Sequence, residues 1–195
     1  MTTRRDFLKT MTMASAGLAL GTGDLLGAPI SVSQRKAAAD KVKIAYVGIG
    51  NRGEQIIGDF ARTGMVEVVA LCDVDMGAPH TQKVMNMYPK AKRFRDFRQM
   101  FDKAGNDFDA VAIATPDHSH FPITMLALAS GKHVYVEKPL ARTFYEAELL
   151  MQAALKRPNL VTQVGNQGHS EANYFQFKAW MDAGIIKDVT AVTAH

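Results

Sequence analysis

The stretch Lys43–Asp73, KIAYVGIGNRGEQIIGDFARTGMVEVVALCD, decides how the chain is read. A short apolar run from Ile44 to Val47 leads directly into Gly48-Ile49-Gly50-Asn51-Arg52-Gly53, and an amphipathic segment carrying Ile56, Ile57 and Phe60 follows. That order predicts strand, glycine turn and helix. A second apolar run, Val66 to Cys72, ends on Asp73, 20 residues beyond Gly53. This is the spacing at which a βαβ unit places the acid that reads a ribose.

Each residue type in the unit has a physical task. Gly48 permits the tight turn out of the strand, Gly50 lets the backbone approach a pyrophosphate, and Gly53 lets the helix pack close to the strand. The phosphates are then expected on N–H groups at a helix N-terminus, where the dipole favours negative charge. Gly48, Ile49, Gly50, Asn51, Arg52 and Gly53 are therefore cofactor-binding candidates. Asp73 can accept hydrogen bonds from both adenosine ribose hydroxyls and would repel a 2′-phosphate. Val74 and Asp75 follow it, with no Arg or Lys to receive one, so NAD is expected rather than NADP. A lone GxGxxG is also compatible with a loop that binds nothing; here the second strand and its acid stand at the required spacing as well.

The composition is that of an ordinary globular chain, 47% hydrophobic and 22% charged over 195 residues. Its first segment is different. Thr3-Arg4-Arg5-Asp6-Phe7-Leu8-Lys9 is a twin-arginine signature, and the run Met11–Leu26 after it is too rich in Gly, Ala and Thr to make a good membrane span. Residues 1–39 are thus read as an export signal and linker, with cleavage near Gly27-Ala28 or at Ala37-Ala38-Ala39. The alternative is a stray arginine pair before a tail. This segment holds five of the 23 basic residues and two of the 19 acids, so most of the net charge of +4 belongs to it. The remainder is nearly neutral and gives no reason to expect nucleic acid. Cys72, the single cysteine, lies in an apolar run and reads as a small core residue.

Further along, the pattern predicts helices over Pro79–Tyr88, from an Asp96 cap to Gly105, and over Thr143–Lys156, with Met87 and Leu155 among the inward positions. Short strands are expected at Arg93–Arg95, Asp109–Ala114, His133–Val136 and Leu160–Val164. Thr115-Pro116-Asp117-His118-Ser119-His120 follows one of these strands. Asp117 or Ser119 can cap the next helix, while Thr115 and Pro116 line a strand exit at which ligands of open parallel sheets bind. His118 reads as a solvated loop residue or a proton shuttle, and His120 is a cofactor-binding candidate facing the cleft, a place away from it being the alternative. With no third clustered ligand, no metal site is expected.

Glu137-Lys138-Pro139-Leu140 ends the next strand. Lys138, partly buried, can exchange a proton with a substrate hydroxyl; Glu137 can orient it or contact the nicotinamide carboxamide. The alternative is a surface ion pair at a strand end. Pro139 sets a turn that can hold a cis bond. Asn166 and Gln167, in Gly165-Asn166-Gln167-Gly168-His169, are candidates near substrate or nicotinamide. A helix from Ser170 with Tyr174, Phe177, Trp180 and Met181 on one side, and a strand Val189–His195, are expected to close the chain.

Taken in this order and spacing, GIGNRG, TPDHSH and EKPL resemble the Gfo/Idh/MocA oxidoreductases, over roughly Lys41–His195. VGNQGH and the leader look like an exported bacterial branch of them. The resemblance implies a doubly wound Rossmann domain, residues 40–165, followed at 166–195 by the start of an α+β substrate domain that is cut short here. It implies hydride transfer between NAD and a sugar, inositol or related polyol carbon, with Lys138 as the catalytic or substrate-orienting residue. A glycosidase-like relative using NAD for transient oxidation is the rival, and a nucleotide-binding piece without turnover is the reading for the 195 residues alone. It further implies twin-arginine export to the periplasm, no stable membrane insertion, and a parent protein that forms homo-oligomers.

Overall fold

A computed structural model describes residues 41–193. The leader, with its arginine pair and cleavage positions, and His195 lie outside the described residues.

Strand β1 (Val42–Val47) is buried from Ile44 onward and alternates its side chains between two cores. Ile44 and Tyr46 point to one face, where they meet Ile56 and Ile57 of α1 (Arg52–Arg62), Leu71 of β2 (Val66–Cys72) and Val84 of α2 (Pro79–Met87). Ala45 and Val47 point to the other face. There they meet Met100 of α3 (Phe97–Ala104), Val111 and Ile113 of β4 (Ala110–Ile113), Ile123 of α4 (His120–Ala129) and Leu150 of α5 (Phe144–Leu155). A strand with apolar side chains on both sides belongs inside a helix-covered parallel sheet.

The six strands stand in the order β3-β2-β1-β4-β5-β6, with β3 at Lys92–Phe94, β5 at His133–Glu137 and β6 at Thr162–Gly165. The chain steps outward from β1 to β3, returns across the sheet to β4, and steps outward the other way. The reversal between β1 and β4 is the switch point at which ligands of doubly wound sheets bind. Pairing is parallel from β3 through β5. Its register puts Cys72, Val47, Ile113 and Val136 in one row.

Several details depart from the sequence reading. The Asp96 side chain accepts from Arg98 N at 2.9 Å as expected of a cap; Ser119 stands at the N-cap position of α4, but its side chain makes no capping hydrogen bond. A short 3-10 turn, Asp117–Ser119, leads into that helix instead. Met87 and Leu155 are exposed; Val84 and Met85 in α2, and Leu150 and Ala153 in α5, carry the buried face. Each of these two helices meets the sheet along a narrower stripe than its apolar content suggests.

The chain divides between Val164 and Gly165. The second unit holds a 3-10 turn, Gln167–Ser170, and helix α6, Ala172–Asp182. Tyr174, Phe177, Trp180 and Met181 are exposed on it rather than packed. No strand forms at residues 189–193. A strand needs a neighbour for its backbone groups, and none pairs with this segment among the described residues.

Candidate functional site

One residue beyond the row Cys72–Val47–Ile113–Val136 stand Asp73, Gly48, Ala114 and Glu137. The fold thus sets the acid, the glycine turn, the β4 exit and the EKP segment side by side along the carboxyl edge. With strands about 4.8 Å apart, Asp73 and Glu137 lie roughly 14 Å from each other, three interstrand spacings. That is on the scale of an extended dinucleotide between its adenosine ribose and its nicotinamide.

The turn has its shape because side chains are excluded from it. Gly48 has φ +81, and a Cβ there would lie 2.5 Å from Ala114 O; one on Gly53 would lie 2.1 Å from Gly48 O. Both obstacles are backbone, so neither can move aside cheaply. Gly48 N donates to Cys72 O at 2.9 Å, and Gly53 N to Gly50 O at 2.8 Å. Asn51 follows with a positive φ of 47, and α1 begins at Arg52. The first N–H groups of a helix have no intrahelical acceptor, which is the anion-binding arrangement expected here. Ile49 contributes only its backbone, because its side chain is fully buried in the core.

Asp73 is tied into the turn. Its Oδ2 accepts from Ile49 N at 2.9 Å and its Oδ1 from Asp75 N at 2.9 Å. A carboxylate offers about four acceptor sites, so both oxygens retain capacity for the two hydroxyls of a ribose. The acid is half-buried. Cys72 beside it is buried, and burial together with the Asp73 charge pushes its thiol up to about 12. It is a core residue, as read.

Glu137 is 3% exposed. Its Oε1 accepts from Arg52 Nη2 at 3.0 Å and from the Tyr135 hydroxyl at 3.0 Å. Burial opposes charge on the Arg52 guanidinium, but the hydrogen bond and charge of Glu137 prevail and raise its pKa. Burial, and next the Glu137 charge, push the Tyr135 hydroxyl up to about 12, so it remains a donor. Among the described residues Glu137 Oε2 has no hydrogen-bond partner. A buried carboxylate oxygen of this kind suits an N–H donor such as a carboxamide.

Lys138 differs from the sequence reading. It is exposed rather than partly buried, standing one residue beyond the end of β5. Glu137 does not orient it through a hydrogen bond, its carboxylate being engaged by Arg52 and Tyr135. The bond between Lys138 and Pro139 is cis. His120 also differs. At 1% exposure it lies in the core, its Nδ1 facing Pro139 O at 2.6 Å and its Nε2 facing Thr115 O at 2.8 Å. It ties the β4 exit to the EKP loop instead of facing the cleft, and a neutral ring can donate to only one of those carbonyls at a time. Thr115 keeps a buried Oγ1 without a partner among the described residues, while Pro116 and His118 are exposed at the edge. Asn166 and Gln167 belong to the second unit, and both are exposed there.

Two residues near the turn, Tyr135 and His80, escaped the sequence reading, and so did the long-range partner of a third. Arg52 was read only as part of the glycine motif, and its bond to Glu137 spans 85 positions. Tyr135 was legible in principle, because residues two apart on a strand share a face. His80 lies with its Cδ2 2.4 Å from where a Gly50 Cβ would stand, and its Nε2 is 4.0 Å from Asp75 Oδ2. Nothing local announces that contact.

These features define a dinucleotide-binding Rossmann domain. Residues 42–165 match the Gfo/Idh/MocA family model, an oxidoreductase family with an NAD-binding Rossmann fold, and the chain belongs to that family. The chain is 31% identical over 147 residues to the inositol 2-dehydrogenase of Salmonella typhimurium, covering 74% of this chain and 43% of that one. It is 31% identical over 167 residues to a glycosyl hydrolase family 109 protein of Shewanella pealeana, covering 77% and 36%. A crystal structure of scyllo-inositol dehydrogenase from Lactobacillus casei with bound NAD(H) and scyllo-inositol superposes with a TM-score of 0.66 at 29% identity, covering 77% of this chain and 43% of that one. The chain therefore spans less than half the length of these relatives.

Proposed function

We propose that this chain binds NAD in preference to NADP, and that it serves hydride transfer to or from a hydroxyl-bearing carbon of an inositol, sugar or related polyol. The observation that carries the reading is the row Asp73–Gly48–Ala114–Glu137 at the switch point. It sets a ribose acceptor and a buried carboxylate at the two ends of a glycine turn. The inositol dehydrogenases among the relatives support the substrate class.

The nicotinamide ring supplies the hydride acceptor or donor when the cofactor is bound. Asp73 receives the ribose hydroxyls, and its charge disfavours a 2′-phosphate. The turn and the start of α1 hold the diphosphate through backbone N–H groups. Glu137 Oε2 accepts from the carboxamide. Lys138, on the exposed side of the β5 exit, as the neutral amine accepts the substrate hydroxyl's proton on oxidation and, as the ammonium, returns it on reduction. Asn166 and Gln167 are proposed for the substrate side, and residues 1–39 for twin-arginine export to the periplasm. The family 109 relative supports a second reading, in which the oxidation is transient and NAD is not consumed.

Calorimetry of the 195-residue chain with NAD and with NADP tests the cofactor assignment. Micromolar NAD binding at least about tenfold tighter than NADP is expected, the scale set by hydrogen bonds to a charged group. Equal affinities would remove Asp73 from ribose recognition, and absence of binding to either would remove the dinucleotide reading. Net formation of NADH with an inositol separates the first reading from the second.

A further inference from the structure

We propose that Arg52 and Tyr135 are positioning residues: by holding one oxygen of Glu137 they fix the other at the nicotinamide end of the cleft. The inference rests on the reading of this cleft as a dinucleotide site.

The geometry is asymmetric. Two donors converge on Glu137 Oε1, each at 3.0 Å, while Oε2 is buried and bare among the described residues. A pair serving stability alone gains most when every lone pair of the buried acid is satisfied, and burying an ion pair is otherwise a poor route to stability. Leaving one oxygen bare is costly unless it meets a donor. The two clamps also come from different places. Tyr135 stands two residues before Glu137 on the same strand, and its ring is held edge-on against Phe60 of α1 at 5.4 Å. Arg52 is the first residue of α1, immediately after the turn, and its Nη1 is itself held by Gln55 Oε1 at 3.0 Å. The clamp therefore joins the element that carries the diphosphate to the strand end that carries Lys138. Anything that fixes Arg52 at the turn also fixes Glu137.

The consequence is selective. Loosening the clamp should be felt by the nicotinamide half of the cofactor and hardly at all by the ADP half. ADP-ribose, which lacks the nicotinamide, is the probe for that split, measured beside NAD by calorimetry on the 195-residue chain. Tyr135→Phe keeps the ring and its contact with Phe60 and removes only the hydroxyl. We expect it to weaken NAD about fivefold to tenfold, the range for losing a hydrogen bond to a charged group, with ADP-ribose changed less than about twofold. Glu137→Gln is the second arm, expected to show the same split; it decides the matter should Tyr135→Phe not fold. Arg52→Lys should retain more NAD affinity than Arg52→Met. Equal weakening of NAD and ADP-ribose by Tyr135→Phe and Glu137→Gln, or no weakening of either ligand, would overturn the positioning role. So would a wild-type chain that binds ADP-ribose as tightly as NAD. A wild-type chain that binds neither overturns the dinucleotide reading itself, and this inference with it.

Discussion

The carboxylates at the two ends of the carboxyl edge are held by opposite means. Asp73 is half-buried and takes its two donors from the backbone, Ile49 N and Asp75 N. Both lie within the unit that supplies the acid, so its orientation follows from the turn itself. Glu137 is nearly fully buried and takes its donors from side chains, Arg52 and Tyr135, one of them 85 residues away. Backbone donors fix Asp73 as soon as the turn forms, whereas Glu137 is fixed only once the Arg52 and Tyr135 side chains converge on it.

The largest expected effect tests what the two ends share. Gly53→Ala would put a Cβ 2.1 Å from Gly48 O, forcing α1 away from the turn and moving Ile49 N and Arg52 together. A loss of about 3 kcal/mol or more is expected for such overpacking against backbone, read by urea unfolding, with NAD and ADP-ribose binding lost in parallel. Stability close to that of the wild type would mean that the two ends do not depend on the turn between them.

Next comes the chemistry at the Glu137 end. Under the proposed function, tested in a full-length protein with an inositol and NAD as substrates, Lys138→Met should lower turnover by about 100-fold or more, the scale of acid–base groups, while NAD affinity stays within about twofold. A fall in affinity with unchanged turnover would make Lys138 a cofactor ligand and blur the division between the ends. At the other end, Asp73→Asn keeps an acceptor for Ile49 N but removes the charge. NAD should weaken by about tenfold and NADP much less, so that the preference narrows without loss of fold. Parallel weakening of both would assign Asp73 to the turn alone.

This difference between the ends also governs what was legible in the sequence. The Asp73 end is local: turn, helix, strand and acid fall within Lys43–Asp73, and the excluded side chains at Gly48 and Gly53 leave their mark as glycines. The strands β1, β2, β4 and β5 were legible for the same reason, since each is a short, mostly apolar run between turn residues. The Glu137 end depends on register. That Arg52 meets Glu137 follows only once β1, β4 and β5 are aligned row by row, and no spacing along the chain encodes it. His120 shows the converse. Its place next to a strand exit suggested the cleft, but the carbonyls of Thr115 and Pro139 draw it into the core, and carbonyl positions are a tertiary property. The strand expected after residue 188 failed because alternation along a segment specifies a face and not a partner.

The smallest effect separates holding the strand from holding the site. His133 opens β5 at the edge opposite Glu137, and its Nδ1 accepts a hydrogen bond from Val161 N at 2.9 Å. Only the neutral ring can accept there. Burial lowers its pKa below 6.5, opposed by the weaker attraction of Asp109. Because the folded value lies below the unfolded one, the contribution to stability is fully present above about pH 6.5 and is lost as pH falls through the folded value. The bond is worth at most about 1 kcal/mol, so the loss shows as a slope in unfolding free energy below pH 6.5 that His133→Gln should flatten relative to wild type. NAD affinity should stay the same in this variant at neutral pH, because His133 anchors the amino end of the strand whose carboxyl end carries Glu137. A matching loss of NAD affinity would show that the placement of Glu137 depends on the whole strand, and would remove the local clamp of Arg52 and Tyr135 as its main determinant.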